Sequence, residues 1–151
     1  MNIIYIKPMM KDLSQGSRLS YIRQIRHMTQ EEVADHFHLE GESKVRTIQR
    51  YERNDRIRKD DRLEELAKLY NVNINSIKQY SFNNNEDIIY IMMWLEEKFE
   101  NYEVDIRNSI HADSDSNIAI LKRFDEWMEM RNKKISGEIT ADEYLEWKFS
   151  R

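Results

Sequence analysis

The chain has 151 residues, 34% of them charged, with a formal net charge of −4 and no cysteine. That length suits one domain or two small ones, and the lack of thiols excludes disulfides and thiolate metal sites. The longest apolar run, residues 88–95, is far short of the roughly 20 residues a spanning helix needs. The apolar start, residues 1–13, is too short and too badly flanked for a signal peptide, so a reducing, cytoplasmic setting is expected.

In chain order, the first strong signal is Thr29, which stands as an N-cap before Gln30-Glu31-Glu32 with Glu32 at capping-box spacing. The helix it opens carries an apolar stripe of Met28, Val33, Ala34 and Phe37. After a turn from His38 to Lys44, another helix begins near Ser43–Lys44. Ile48 and Tyr51 point inward from it, leaving Lys44, Arg46, Gln49, Arg50 and Arg53 outward or flanking. Asp60-Asp61 opens a fourth helix with Leu63, Leu66, Ala67 and Tyr70 on one face, and Asn75 is expected to cap a short fifth with Ile74 and Ile77 buried. Five helices with short connections make residues 12–82 a compact bundle with a small core.

Residues 83–151 read as a second, mostly helical domain. The polar, Asn-rich connector after Tyr80 leads to Asn85 or Asp87 as the cap of a helix through Phe99. Ile88, Ile91, Met92, Leu95 and Phe99 lie on one side of it, and Ile89, Met93 and Trp94 widen the stripe. A helix this apolar is buried on two sides, either as an internal core helix or as a dimerisation surface centred on Ile88, Ile91, Met92 and Leu95. Alternation over residues 102–112 predicts a small β-hairpin, and residues 113–117 a loop. A helix from Ile118 to Ile135 is stopped by Ser136-Gly137. Thr140 and Glu143 form a second capping box before a terminal helix with Tyr144, Leu145, Trp147 and Phe149.

Charge follows this division. Residues 1–82 hold 15 Lys and Arg against 12 Asp and Glu, whereas the remainder holds 9 against 16. Between Lys44 and Arg62 there are eight basic and four acidic residues. A basic module joined to an acidic one is the balance expected of a nucleic-acid-binding chain.

The order Arg18-Leu19, Ile22-Arg23, Met28-Thr29-Gln30-Glu31-Glu32-Val33-Ala34 and Thr47-Ile48-Gln49-Arg50-Tyr51-Glu52-Arg53 resembles the phage-repressor-like (XRE/Cro-like) helix-turn-helix family of transcriptional regulators, over about residues 17–80. Two departures stand out. The turn is about four residues longer than the family's usual one, and Asn54 replaces a typical glycine, a mild change because Asn tolerates the left-handed backbone that ends such a helix. The C-terminal pattern of Trp127, Met130, Gly137-Glu138-Ile139-Thr140, Glu143-Tyr144 and Trp147-Lys148 is similar to the tail of some repressor-like regulators of phages and Gram-positive bacteria.

The resemblance implies a mainly α protein, with an N-terminal five-helix lambda-repressor-like DNA-binding bundle followed by the helical second domain. It implies a sequence-specific repressor acting as a homodimer on an inverted repeat of double-stranded DNA, without cofactor or enzymatic activity. Lys44, Val45, Arg46, Gln49 and Arg50 would face base edges in the major groove. Gln30, Arg53 and Arg56 would hold the phosphate backbone, and Arg23 and Glu52 would form a semi-buried structural ion pair. The acidic half would supply dimerisation. A small-molecule, peptide or protein effector is a further partner for it, although aromatic and Met stripes at helical spacing read first as core. The alternative is an antitoxin-like interaction protein whose DNA binding is autoregulatory.

The composition speaks against catalysis. No His-Glu-x-x-His helix occurs, three glycines leave no phosphate loop, and no Ser/His/Asp set has a recognisable context. His36-x-His38 lacks a nearby third ligand and reads as exposed histidines, not as a metal site.

Overall fold

The computed structural model describes residues 8–55, 60–81, 83–98 and 115–151, and the chain divides into two compact units, Met1–Gln79 and Tyr80–Arg151. Among the described residues every regular element is helical. The first unit contains α1 (Gln15–Ile25), α2 (Gln30–His36), α3 (Lys44–Glu52), α4 (Asp60–Tyr70) and a 3-10 turn (Ile74–Ser76). The second contains α5 (Asn85–Lys98), α6 (Asp115–Ile135) and α7 (Ala141–Phe149). The expected hairpin over 102–112 lies outside the described residues.

Side chains satisfy the free N–H groups at several helix starts. Ser14 accepts from Ser17 N at α1. Thr29 and Glu32 form a reciprocal capping box at α2, as Thr140 and Glu143 do at α7. The backbone N–H of Thr29 and of Thr140, each donated to its glutamate, holds Glu32 and Glu143 below the usual carboxylate range. The 3-10 turn is capped by Asn73, whose Oδ1 accepts from Asn75 N at 2.9 Å, and not by Asn75 as the sequence suggests.

Five of the helices end in one way. His27, His38, Asn54, Asn71 and Gly137 all have positive φ. The residue after each sends its N–H back five positions: Met28 to Arg23, Leu39 to Ala34, Asp55 to Arg50, Val72 to Ala67 and Glu138 to Lys133. This is the bond that closes a Schellman motif. With three glycines in the whole chain, four of these left-handed positions fall to Asn and His, the residue types that tolerate them best after glycine.

In the first unit Leu19, Ile22, Val33, Ala34, Ile48, Tyr51, Leu66 and Tyr70 are all buried, and α3 packs on both α1 and α2. Gly16 permits the tightest approach: a Cβ there would stand 2.5 Å from Glu52 O and 2.7 Å from Tyr51 O. Two arginines, Arg18 within α1 and Arg26 at its C-cap, serve the fold. Arg18, 1% exposed, donates to Leu13 O, Ser76 O and Lys78 O, closing the bundle around the 3-10 turn. Arg26 donates to Tyr70 O and Asn71 O at the end of α4, where a cation also meets the negative end of the helix dipole.

The second unit is built on Ile89, Tyr90, Met92 and Met93 of α5, Phe124 and Trp127 of α6, and Tyr144 of α7. Tyr80 belongs with it: its hydroxyl accepts from Trp94 Nε1 at 3.1 Å and its ring stacks on Tyr90. Of Ile88, Ile91, Met92 and Leu95, only Met92 is fully turned inward. Ile88 is exposed and Ile91 and Leu95 are half-buried, while Ile89, Tyr90, Met93, Trp94 and Glu96 are buried. A helix apolar on both sides offers two faces, and the polar anchors decide between them. Asp87 Oδ2 accepts from Ser81 N. Glu96 is held by Arg131 at 2.8 Å, Lys148 at 2.7 Å and the Tyr144 hydroxyl at 2.8 Å. Burial opposes charge on Glu96, but Lys148 and these hydrogen bonds outweigh it and keep the carboxyl below its ordinary value.

Candidate nucleic-acid interface

α2 and α3 are joined by the turn over residues 37–43, with Gly41 at φ +85°. The turn is polar and exposed apart from Phe37 and Leu39: Phe37 is buried and Leu39 half-buried. Ser43 is the residue before α3 and contributes no side-chain cap. Because Ile48 and Tyr51 are buried, the opposite side of α3 faces solvent; Arg46 and Arg50 stand on it exposed, and Arg53, the C-cap residue, is exposed just beyond it. Val45 and Gln49 are half-buried at its flanks. The spacing of the arginines, four and then three residues, places them along one stripe of the helix. None of the three guanidiniums is held by a carboxylate among the described residues.

That availability contrasts with Arg18, Arg23 and Arg26. Arg18 and Arg26 bind carbonyls, and Arg23 binds Glu52: Nε to Oε1 at 2.6 Å and Nη2 to Oε2 at 3.1 Å, with Nη1 on Met28 O at 2.7 Å. The pair is 12% and 8% exposed, and such a two-pronged contact is the strong form of an ion pair. Gln30 adds a third donor to the same carboxylate, Nε2 to Oε2 at 2.9 Å. Gln30 thus touches the base of α3, and its amide retains a second N–H for another acceptor. Burial, and then the nearby Glu52 charge, push the Tyr70 phenol well above its usual pKa.

Lys44, the first residue of α3, does not stand with the exposed arginines. Its Nζ is 2.7 Å from Asp35 Oδ1 and 3.0 Å from Glu31 Oε1, both on α2. These two hydrogen bonds, that to Asp35 foremost, raise its pKa. Arg56 lies outside the described residues. Among the described residues no group of three or more His, Cys, Asp or Glu is placed to hold a metal ion.

Sequence reasoning did not find the role of Asn54. Beyond its left-handed backbone, its Oδ1 accepts from Gly16 N at 2.7 Å and its Nδ2 donates to Ser14 Oγ at 2.8 Å. The end of α3 therefore caps the start of α1. A glycine, typical at this position, could make neither bond.

Residues 19–77 match the family model described as helix-turn-helix. No curated protein and no solved structure matches the chain. No helix among the described residues is long and apolar enough to cross a membrane.

Proposed function

Because residues 19–77 form a phage-repressor-like helix-turn-helix domain, and the chain is thus a DNA-binding transcriptional regulator, we propose that it represses its targets as a homodimer bound to an inverted repeat. The family is one of DNA-binding regulators, not of enzymes, so the proposal includes no catalytic step. It acts in the cytoplasm, on the chromosome.

The observation that carries the reading is the exposed stripe of Arg46 and Arg50 on a short helix braced by two others, continued by Arg53 at its C-cap. A helix of this size fits the major groove. Arg46 and Arg50 pair with guanine edges, Gln49 reaches an adenine or a phosphate, and Val45 offers apolar contact to a thymine methyl. Arg53, beyond the end of α3, and Gln30, at the start of α2, contact phosphates, with Arg56 assigned there as well. Phosphate contacts fix register and bring salt dependence, while base contacts supply sequence preference.

A single module of this kind covers too little DNA for tight operator binding, which favours two copies about 34 Å apart on the duplex. The outward face of α5, with Ile88, Ile91 and Leu95, is the surface we assign to dimerisation. Met92, buried in its own unit, supports that helix from behind. Selection of bound duplexes from a random pool tests the reading: an inverted repeat should emerge, with half-sites one helical turn apart. Indifference to duplex at physiological salt would overturn it.

A further inference from the structure

The α2 side of the helix-turn-helix is acidic. From Gln30 to Ser43 the chain carries Glu31, Glu32, Asp35, Glu40 and Glu42 and no lysine or arginine. Glu32 is committed to the capping box. Glu31 and Asp35, one helical turn apart on α2, remain 63% and 58% exposed. Gln30 and Glu31 share the first turn of α2, so a phosphate drawn to that helix start meets the field of the Glu31 carboxylate. Like charges at such range repel, and the duplex is the densest negative charge the protein would meet.

Lys44 is the cation placed between these two carboxylates, with its side chain only 25% exposed. An ammonium is a compact point charge with three donors and suits a site shared by two acceptors. Resting on the reading of α3 as the groove-entering helix, we infer that Lys44 is a positioning residue: it assists DNA binding by neutralising Glu31 and Asp35, and does not read a base. Sequence preference then belongs to Arg46 and Arg50, and Lys44 sets how closely α2 approaches the backbone.

The test compares operator and scrambled duplex binding of the full chain by fluorescence anisotropy across a salt series, for wild type, K44A, E31Q/D35N and K44A/E31Q/D35N. K44A should weaken both duplexes by a similar factor, roughly fivefold, because the lost term is electrostatic and sequence-independent. The triple variant should recover most of that loss, since no repulsion remains to be neutralised. E31Q/D35N frees an ammonium beside the phosphates, so its affinity should rise and its log–log salt slope steepen by about 0.9. A purely structural clamp would show a lower melting temperature in K44A and no rescue in the triple variant. A base reader would show relaxed preference at one operator position, also without rescue, and either result overturns the proposal. If K44A does not fold, E31Q/D35N decides alone: unchanged affinity and slope reject it. Loss of all duplex binding in the wild type would instead remove the underlying reading of α3, and this inference with it.

Discussion

Both oxygens of the Glu52 carboxylate face the Arg23 guanidinium, at 2.6 and 3.1 Å, so the first helix grips the base of the helix that displays Arg46 and Arg50. The pair is nearly dry, and Gln30 joins it from α2. A single carboxylate therefore sets the relative position of three helices. Breaking a buried pair from one side leaves an uncompensated charge, at a cost of about 3–5 kcal/mol. Glu52→Ala should lower the melting temperature of the first unit, as followed by far-UV circular dichroism. Base preference, measured on the folded fraction, should not change. An unaltered midpoint would contradict this account of Glu52.

The exposed arginines should behave in two classes. Arg46→Ala and Arg50→Ala should each lose about 1–3 kcal/mol of discrimination against the wrong base, visible as a flattened preference in competition assays. Arg53→Ala should weaken all duplexes alike and reduce the salt slope by about 0.9. Melting temperatures should move little in all three variants, because these side chains cover no core. Equal losses on operator and scrambled duplex for Arg46→Ala would remove it from the reading set.

Helix ends give a stability test that is independent of DNA. His38 closes α2 at φ +52° and is exposed. A glycine there relieves the left-handed strain of an L residue, a gain partly offset by its greater freedom when unfolded, leaving a net stabilisation of about 0.5–1 kcal/mol. Asn54 has the same backbone at φ +61°, yet Asn54→Gly should destabilise, because the bonds to Gly16 N and Ser14 Oγ vanish with the side chain. Chemical denaturation of the two variants should give opposite signs.

That contrast marks where the sequence is legible and where it is not. Capping boxes at Thr29 and Thr140 depend on residues three apart, and both appear in the structure. The inward side of α3 follows from Ile48 and Tyr51 in the same local way. The bond from Gly16 to Asn54 spans 38 residues, and that from Glu96 to Tyr144 spans 48. No short-range pattern encodes either. The Lys44 contact with α2 depends on the long turn bringing residue 44 back beside residues 31 and 35, which charge type alone does not reveal. For α5 periodicity allowed two faces, and the choice came from the partners of Asp87 and Glu96.

Acid should loosen the second unit through Glu96. Burial raises its pKa, but Lys148 and the hydrogen bonds from Lys148, Tyr144 and Arg131 more than compensate, so the folded value lies below the ordinary 4.5. A carboxyl lowered on folding contributes stability that is fully present above its unfolded pKa and is lost as pH falls through the folded one. All three tryptophans, Trp94, Trp127 and Trp147, lie in this unit, so their fluorescence follows it selectively. The tryptophan melting midpoint should fall progressively below pH 4.5. Glu96→Gln should melt lower at neutral pH, with Lys148 and Arg131 left facing a neutral amide, and should lose part of that acid dependence. An identical pH profile for the two proteins would show that Glu96 does not carry the effect.

Two substitutions on α5 separate dimerisation from folding. Ile88 and Leu95 lie seven residues apart on the outward face, with Ile91 between them, whereas Met92 is 3% exposed within the core. Ile88→Glu combined with Leu95→Glu places charge where we assign the partner, and should convert a dimer to monomers by light scattering at micromolar concentration. Its tryptophan melt should fall less than that of Met92→Ala, because Ile88 is exposed and Leu95 only half-buried. Operator affinity should collapse toward that of a single half-site, while binding to scrambled duplex changes less. Met92→Ala should do the reverse, lowering stability by about 2–5 kcal/mol and leaving the subunit number of the folded fraction intact. A doubly substituted protein that remained dimeric would move the interface elsewhere, and a monomeric wild type would remove the two-fold operator model itself.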